Sequence, residues 1–247
     1  MNNTAEAWRQ MAPEEITSER STDEKDVRRL AVFDFDGTSI TGNSPVILVK
    51  ELFKHRMISL AVLCKISAWG FAYKFRLPQN ESKARSLVFS GFRGRPKAET
   101  DRLLRKFYAE HIEKHFRAQA INRMEALREE GCFIMLVSAS FDPIVESARV
   151  MHAIDAQIST KMKVDEDGAY TCEVDGRPVE GMQKLIAVTE FANERFGEGK
   201  WEIAYAFGDH HSDIPLLEAA KHPIAVSPNY PLERKAQSVG WPIEIWR

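Results

Sequence analysis

Apolar residues recur along this 247-residue chain in two rhythms. Four short runs, Leu30 to Phe35 (interrupted only by Asp34), Cys132 to Val137, Ile203 to Phe207 and Ile224 to Val226, predict buried strands. Gln157 to Thr160 predicts one more short strand, and the alternation from Lys163 to Val174 around Asp165-Glu-Asp-Gly168 predicts a hairpin. Elsewhere the spacing is three and four. Residues 43 to 130 carry few strand signals, and from Asp101 to Glu130 the side chains of Leu103, Leu104, Phe107, Ile112 and Phe116 recur between charges, as on a helix. Asp142-Pro143 predicts an N-cap and a first-turn proline for a helix after the second strand. Further helices are expected from about Met182 to Phe196 and Ser212 to Ala220.

Strands alternating with helices predict an α/β fold built on a doubly wound, Rossmann-like parallel sheet. The first crossover does not fit that scheme. More than ninety residues separate Thr38 from the second strand, where a whole βαβ unit needs only about thirty. The surplus is expected to be an inserted α-helical cap domain, residues 43–117, with the core formed by 30–42 and 118–247 and a mobile tail at 1–29. An insert at the carboxyl edge of a strand sits over the place where open α/β sheets bind ligands.

One segment of the insert is unusually apolar. Met57 to Phe75 carries Ile, Leu, Val, Trp and Phe around a central Lys65. That lysine costs about 2.5–3.5 kcal/mol on the insertion scale, against about 0.3–0.6 returned by each large apolar residue. A helix packed against other helices is expected, with peripheral membrane contact through residues 57–75 as the second reading and a true span as the third.

Composition removes other classes. At 34 basic and 36 acidic residues the formal charge is -2, so no nucleic-acid partner is implied. Cys64, Cys132 and Cys172 form no C-x-x-C pair, which fits a reduced, cytoplasmic protein without zinc or a disulfide framework. Residues 1 to 29 hold no continuous apolar core, so no signal peptide is expected.

The chemistry gathers at strand ends. Asp34-Phe-Asp36-Gly37-Thr38 closes the first run, and strand alternation would lean both carboxylates toward one spot. Two buried like charges need a cation or a proton between them. Ser138 ends the second run with backbone amides after it, Lys184 lies early in the helix after the hairpin, and Gly208-Asp209 is followed by Asp213 one helical turn on. Each has a dull reading as turn residue, solvated lysine or helix cap. Together they suit phosphoryl transfer through an aspartyl phosphate. Asp34 would attack phosphorus, and Asp36 would protonate the leaving oxygen and then activate water. Ser138, Ala139, Lys184 and Thr38 would hold the phosphate, Asp209 would ligate a divalent cation, and Asp213 would support it. Mg2+ is the expected ion, because the donors are hard oxygens and no His or Cys set is evident.

In order and spacing these four pieces resemble the motifs of the haloacid dehalogenase-like phosphohydrolases. The long insert is similar to that of the phosphoserine phosphatase-like branch. Val137-Ser-Ala-Ser-Phe141, Asp167-Gly-Ala-Tyr-Thr171, Leu216-Leu-Glu-Ala-Ala220 and Gly240-Trp-Pro-Ile243 resemble its subfamily IB hydrolases. The resemblance implies a Rossmann-like core, Asp34 as nucleophile, and a metal held by the Asp34 carboxylate, the Asp36 backbone carbonyl and Asp209. It implies a small phosphorylated substrate, with lipid phosphate at a membrane surface and phosphate binding with little turnover as alternatives.

Departures bear on the substrate. Asn43 stands where phosphoserine phosphatases place the glutamate that holds the substrate amino group, and Ala139-Ser140 replaces their Gly-Gly, so phosphoserine is not the expected ester. A dehalogenase would have no use for Asp36. A receiver module would draw its acidic pair from a different strand, and Gly197-Glu-Gly199 precedes a strand, which excludes a dinucleotide fingerprint. Arg76, Lys83, Arg85, Arg93 and Arg95 could meet an anion from the cap or stay solvated. His210 and His211 are expected to be solvated or to cap a helix, and to add positive charge below neutrality.

Overall fold

The computed structural model describes residues 27–74 and 81–247, with the helical residues 71–74 and 81–84 described by backbone alone. Strand β1 (Arg28–Asp34) is followed by helices α1 (Ser44–Lys54), α2 (Leu60–Lys74), α3 (Glu81–Phe89) and α4 (Lys97–Phe107). Next come α5 (Ala118–Glu129), β2 (Phe133–Phe141), α6 (Asp142–Met151), β3 (Ala156–Thr160), and the hairpin β4 (Met162–Val164) and β5 (Tyr170–Val174). The chain closes with α7 (Met182–Phe196), β6 (Trp201–Gly208), α8 (Ile214–Glu218), β7 (His222–Val226), α9 (Tyr230–Val239) and β8 (Ile243–Glu244).

Six strands form one sheet in the order β3-β2-β1-β6-β7-β8, every neighbour parallel. The strand order reverses between β1 and β6, so the crevice beyond their carboxyl ends is the topological switch point. Asp34 ends one of these strands and Asp209 follows the other.

Alternation along β1 explains why its run is unbroken. Ala31 and Phe33 enter a cluster with α1, α4, α5 and α6, while Leu30 and Val32 enter a second cluster with α7, α8 and α9. Both faces are covered, so every residue from Leu30 to Phe33 is fully buried. Phe33 stacks on its ladder partner Phe207 with ring centroids 4.2 Å apart, tying the two switch-point strands together. Four helices start with a proline in the first turn (Pro45, Pro143, Pro215, Pro231), where the missing N–H costs nothing.

Several elements differ from their sequence pattern. Arg28 and Arg29, placed in the tail, pair with Trp201 and Glu202 and extend β1. The rest of the expected tail, 1–26, lies outside the described residues. Residues 101 to 130 are not one helix. After α4 the chain passes through a π turn (Tyr108–Ile112) and a 3-10 turn (Glu113–His115), then runs extended at Phe116 and Arg117 before α5 begins. The break is where the insert returns to the core: Ile40 bridges Phe116, Thr41 N donates to His115 O, and Arg117 N donates to Ser39 O. Asp142 is not an N-cap. Strand β2 runs directly into α6 with Phe141 at the cap position, and the Asp142 side chain accepts from Gln157 Nε2 at 3.0 Å instead.

Helix α2 shows how an apolar helix sits half outside. Val62, Leu63 and Ile66 pack on the core, while Leu60, Ala61, Cys64, Lys65, Ser67 and Ala68 are exposed. Among the described residues no helix is long and apolar enough to cross a membrane.

Candidate active site

The site is built from the ends of β1 and β6 and the start of α7. Asp34 has the parity of Leu30 and Val32 and so faces α7, where Lys184 occupies the first turn. Lys184 Nζ donates to Asp34 Oδ1 at 2.5 Å and to Asp213 Oδ1 at 2.6 Å, with all three side chains almost wholly buried. One carboxylate oxygen from each of Asp34, Asp209 and Asp213 lies within 4.8 Å of the others. Three carboxylates face one ammonium, so the ionised cluster carries two uncompensated negative charges.

The acid strengths report that imbalance. Burial pushes the Asp34 carboxyl well up, Asp213 and Asp209 push the same way, and Lys184 pulls it back. Asp209 is pushed up to about 7, first by burial and then by Asp213. Burial opposes charge on Lys184, but Asp213 and Asp34 outweigh it and raise its pKa, so the ammonium persists. A divalent cation fits this donor set: it would meet hard carboxylate oxygens and cancel the surplus charge.

Glycines allow the close approach. A Cβ on Gly37, whose φ is +80°, would lie 2.2 Å from Asp209 Oδ2, and a Cβ on Gly208 would lie 2.7 Å from Asp213 Cβ. No side chain fits between the two strand ends at either position.

The remaining site residues take places that strand alternation did not give. Strand β1 stops at Asp34, so the period-two rule no longer governs Asp36. Its carboxylate lies outside the Asp34, Asp209, Asp213 group. Instead, Asp36 Oδ1 accepts from the Ser44 amide and Oδ2 from the Ser140 hydroxyl, both at 2.5 Å. Burial pushes the Asp36 carboxyl up, and these hydrogen bonds pull against it. Thr38 is buried, but its hydroxyl donates to Asp209 Oδ1 at 3.3 Å, which orients a carboxylate of the cluster. Ser138 and Ala139 do not precede a turn. The β2–β3 register jumps from Ser138 with Ser159 to Phe141 with Thr160, so Ala139 and Ser140 bulge out of the ladder. The Ser140 amide turns back to Ser138 Oγ at 3.0 Å, leaving the Ser138 hydroxyl proton for another acceptor.

Asn43 caps α1 by accepting from Val46 N at 3.1 Å. His210 caps the 3-10 turn His211–Asp213. Burial and the adjacent His211 hold His210 down to about 4, so its own positive charge comes on only near that value. Of the five cap cations, Arg76 and the Lys83 side chain lie outside the described residues, Arg93 is exposed, Arg95 faces Glu99 at 3.9 Å, and Arg85 is drawn inward to Glu180 at 2.5 Å. Ser44 and Ser140 went unassigned by sequence reasoning. Ser140 stood out only as a departure from Gly-Gly.

The family model of haloacid dehalogenase-like hydrolases matches residues 31–218. The chain belongs to that family. Among curated proteins it is 25% identical over 224 residues to a histidinol-phosphatase of Neisseria meningitidis, spanning 88% of this chain and 98% of that one. Among solved structures, a Bordetella pertussis protein of unknown function superposes with a TM-score of 0.78 at 23% identity, covering 88% of this chain and 98% of that chain. A phosphoserine phosphatase, solved as a phospho-aspartyl intermediate analogue, superposes at 0.60 and 19% identity over 89% and 93%. Both structural matches carry the same α/β architecture.

The cluster sets an expected pH response. An ordinary carboxyl titrates near about 4, whereas folded Asp209 titrates at about 7. Between these values the folded protein binds the proton more tightly than the unfolded chain, so this group's contribution to stability is present at low pH and lost as pH rises through about 7. A divalent cation held by Asp209 would compete with that proton. Thermal unfolding with and without Mg2+ should therefore show a larger rise in Tm at pH 8 than at pH 5, by about 2–4 °C for each kcal/mol of extra binding energy. An equal rise at both values would mean that Asp209 does not hold the ion.

Proposed function

We propose that the protein is a Mg2+-dependent phosphomonoesterase that acts through an aspartyl phosphate on a small alcohol phosphate. The observation that carries this reading is the split between two carboxylates only two residues apart. Asp34 sits in the charged cluster against Lys184, and Asp36 is held by neutral donors outside it. A nucleophile and a general acid need those different surroundings.

Asp34 bonds to phosphorus as the ester oxygen leaves, and Asp36 gives that oxygen its proton. Asp36 then takes a proton from the water that attacks the phosphoryl group. Two of the three Lys184 N–H groups go to Asp34 and Asp213, and the third remains for a phosphoryl oxygen, as does the Ser138 hydroxyl proton. Asp34, Asp209 and the Asp36 carbonyl would hold Mg2+, whose chemistry there is to neutralise charge on the phosphoryl oxygens. Asp213 keeps Lys184 in place, and Thr38 keeps Asp209.

The N. meningitidis relative supports an amino-alcohol phosphate as the substrate type. Asn43, committed to capping α1, leaves a phosphoserine amino group without the carboxylate that relatives offer. The test is phosphate release from histidinol phosphate, phosphoserine, glycerol phosphate and p-nitrophenyl phosphate, with Mg2+ and with a chelator. Turnover of at least one ester that stops with chelator is expected. A folded protein that binds phosphate but releases none from any ester would make it a binding module instead.

A further inference from the structure

Asp36 is clasped from two sides. From the core, Ser140 projects from the β2 bulge and its hydroxyl donates to Asp36 Oδ2 at 2.5 Å. From the insert, Ser44, the first residue of α1, gives its amide to Asp36 Oδ1 at 2.5 Å. The two hydroxyls also meet at 2.9 Å. Since Ser140 spends its proton on Asp36, Ser44 is the donor between them, and the chain runs Ser44 to Ser140 to Asp36. Both serines are buried, at 0% and 1% exposure, so water does not substitute for either. Two donors, one on each oxygen, fix the plane of a carboxyl that would otherwise turn about its terminal bond. The second glycine of a Gly-Gly pair could offer no such hydroxyl.

We propose that Ser140, with Ser44 behind it, is the positioning residue for the proton transfer of Asp36, and that the clasp is complete only when α1 is seated against the core. The inference rests on the phosphatase reading above. In the step concerned, the Asp34 oxygen bonds to phosphorus, the bond from phosphorus to the ester oxygen breaks, and the proton of Asp36 passes to that oxygen. A misaligned carboxyl slows this in proportion to how much the leaving group needs the proton. Nitrophenolate leaves without one, and phenolate needs it more.

The experiment compares kcat/KM for phenyl phosphate and p-nitrophenyl phosphate in the wild type, Ser140→Ala, Ser44→Ala and Ser140→Thr. The parameter kcat/KM reports the chemistry through phosphoryl transfer and not the later hydrolysis. The ratio of the two esters within one preparation does not depend on the fraction folded. General acid catalysis is worth about 10²–10⁴-fold, so partial misalignment in Ser140→Ala should raise the nitrophenyl-to-phenyl preference about tenfold or more. Ser44→Ala should shift it the same way by less, and Ser140→Thr should restore it. An active wild type whose Ser140→Ala variant keeps the wild-type ratio, whether or not both rates fall, overturns this inference alone. A wild type that turns over neither these esters nor those of the earlier panel overturns the phosphatase reading and the inference with it.

Discussion

The Asp34→Asn variant releases no measurable phosphate, at least about 10⁴-fold below wild type, yet unfolds at no lower temperature in the absence of Mg2+. Both halves follow from one cluster. An amide cannot bond to phosphorus as a carboxylate does, so the proposed covalent route closes. The stability half comes from charge: Asp34 is buried beside Asp209 and Asp213, and burial with that repulsion outweighs the pull of Lys184. A carboxyl whose folded pKa is raised destabilises the fold when ionised, so at pH 7 a neutral isostere removes a cost. Phosphate release and thermal unfolding on the same preparation check both. An active variant, or an inactive one that melts well below wild type, would show that Asp34 is held for structure.

Lys184→Met has the opposite stability outcome. The ammonium bonds two buried carboxylates and removing it leaves Asp34, Asp209 and Asp213 with no counter-charge among them. Breaking a buried pair from one side costs about 3–5 kcal/mol, a fall in Tm on the order of 10 °C for a domain of this size. The loss should be large at pH 8 and smaller at pH 5, where Asp209, pushed up to about 7, takes up a proton. Added Mg2+ should recover part of it at pH 8. Activity should stay low in that rescued state, since the third N–H for the phosphoryl group is gone. Denaturant unfolding at the two pH values, with and without Mg2+, checks this. A variant as stable as wild type at pH 8 would mean that the cluster is not ionised in the folded protein.

Local pattern made the core legible. Leu30 to Phe33 are apolar because both faces of β1 are covered, and that condition leaves an unbroken run in any sequence. Asp34, Lys184, Asp209 and Asp213 could be singled out because each stands next to the end of such a run or the start of a helix, and the structure brings the four together. Ser138 also ends an apolar run, but its strand continues past it to Phe141. What was not legible depends on where strands stop and on distant contacts. Alternation would put Asp36 on the same face as Asp34 only if β1 continued past Asp34, and the strand ends there. Ser44 and Ser140 meet across a separation of 96 residues, and nothing in either neighbourhood announces the other. The Ser138 to Phe141 bulge depends on the short partner strand β3, and a single-strand pattern cannot report a register.

The bridge between Ile40 and Phe116 bears on how the chain can vary. Entry to and exit from the insert are joined there, with Thr41 bonded to His115 and Ser39 to Arg117. For the sheet, the whole inserted length is a loop whose two ends are already closed side by side. Lengthening such a loop costs little entropy, because the closure term grows only with the logarithm of its length. Closure entropy therefore sets little limit on the length of the insert, although a different set of helices would still have to cover the face of β1 that α1 and α4 bury. Such an exchange would carry away Ser44, so a new cap has to bring its own donor to Asp36.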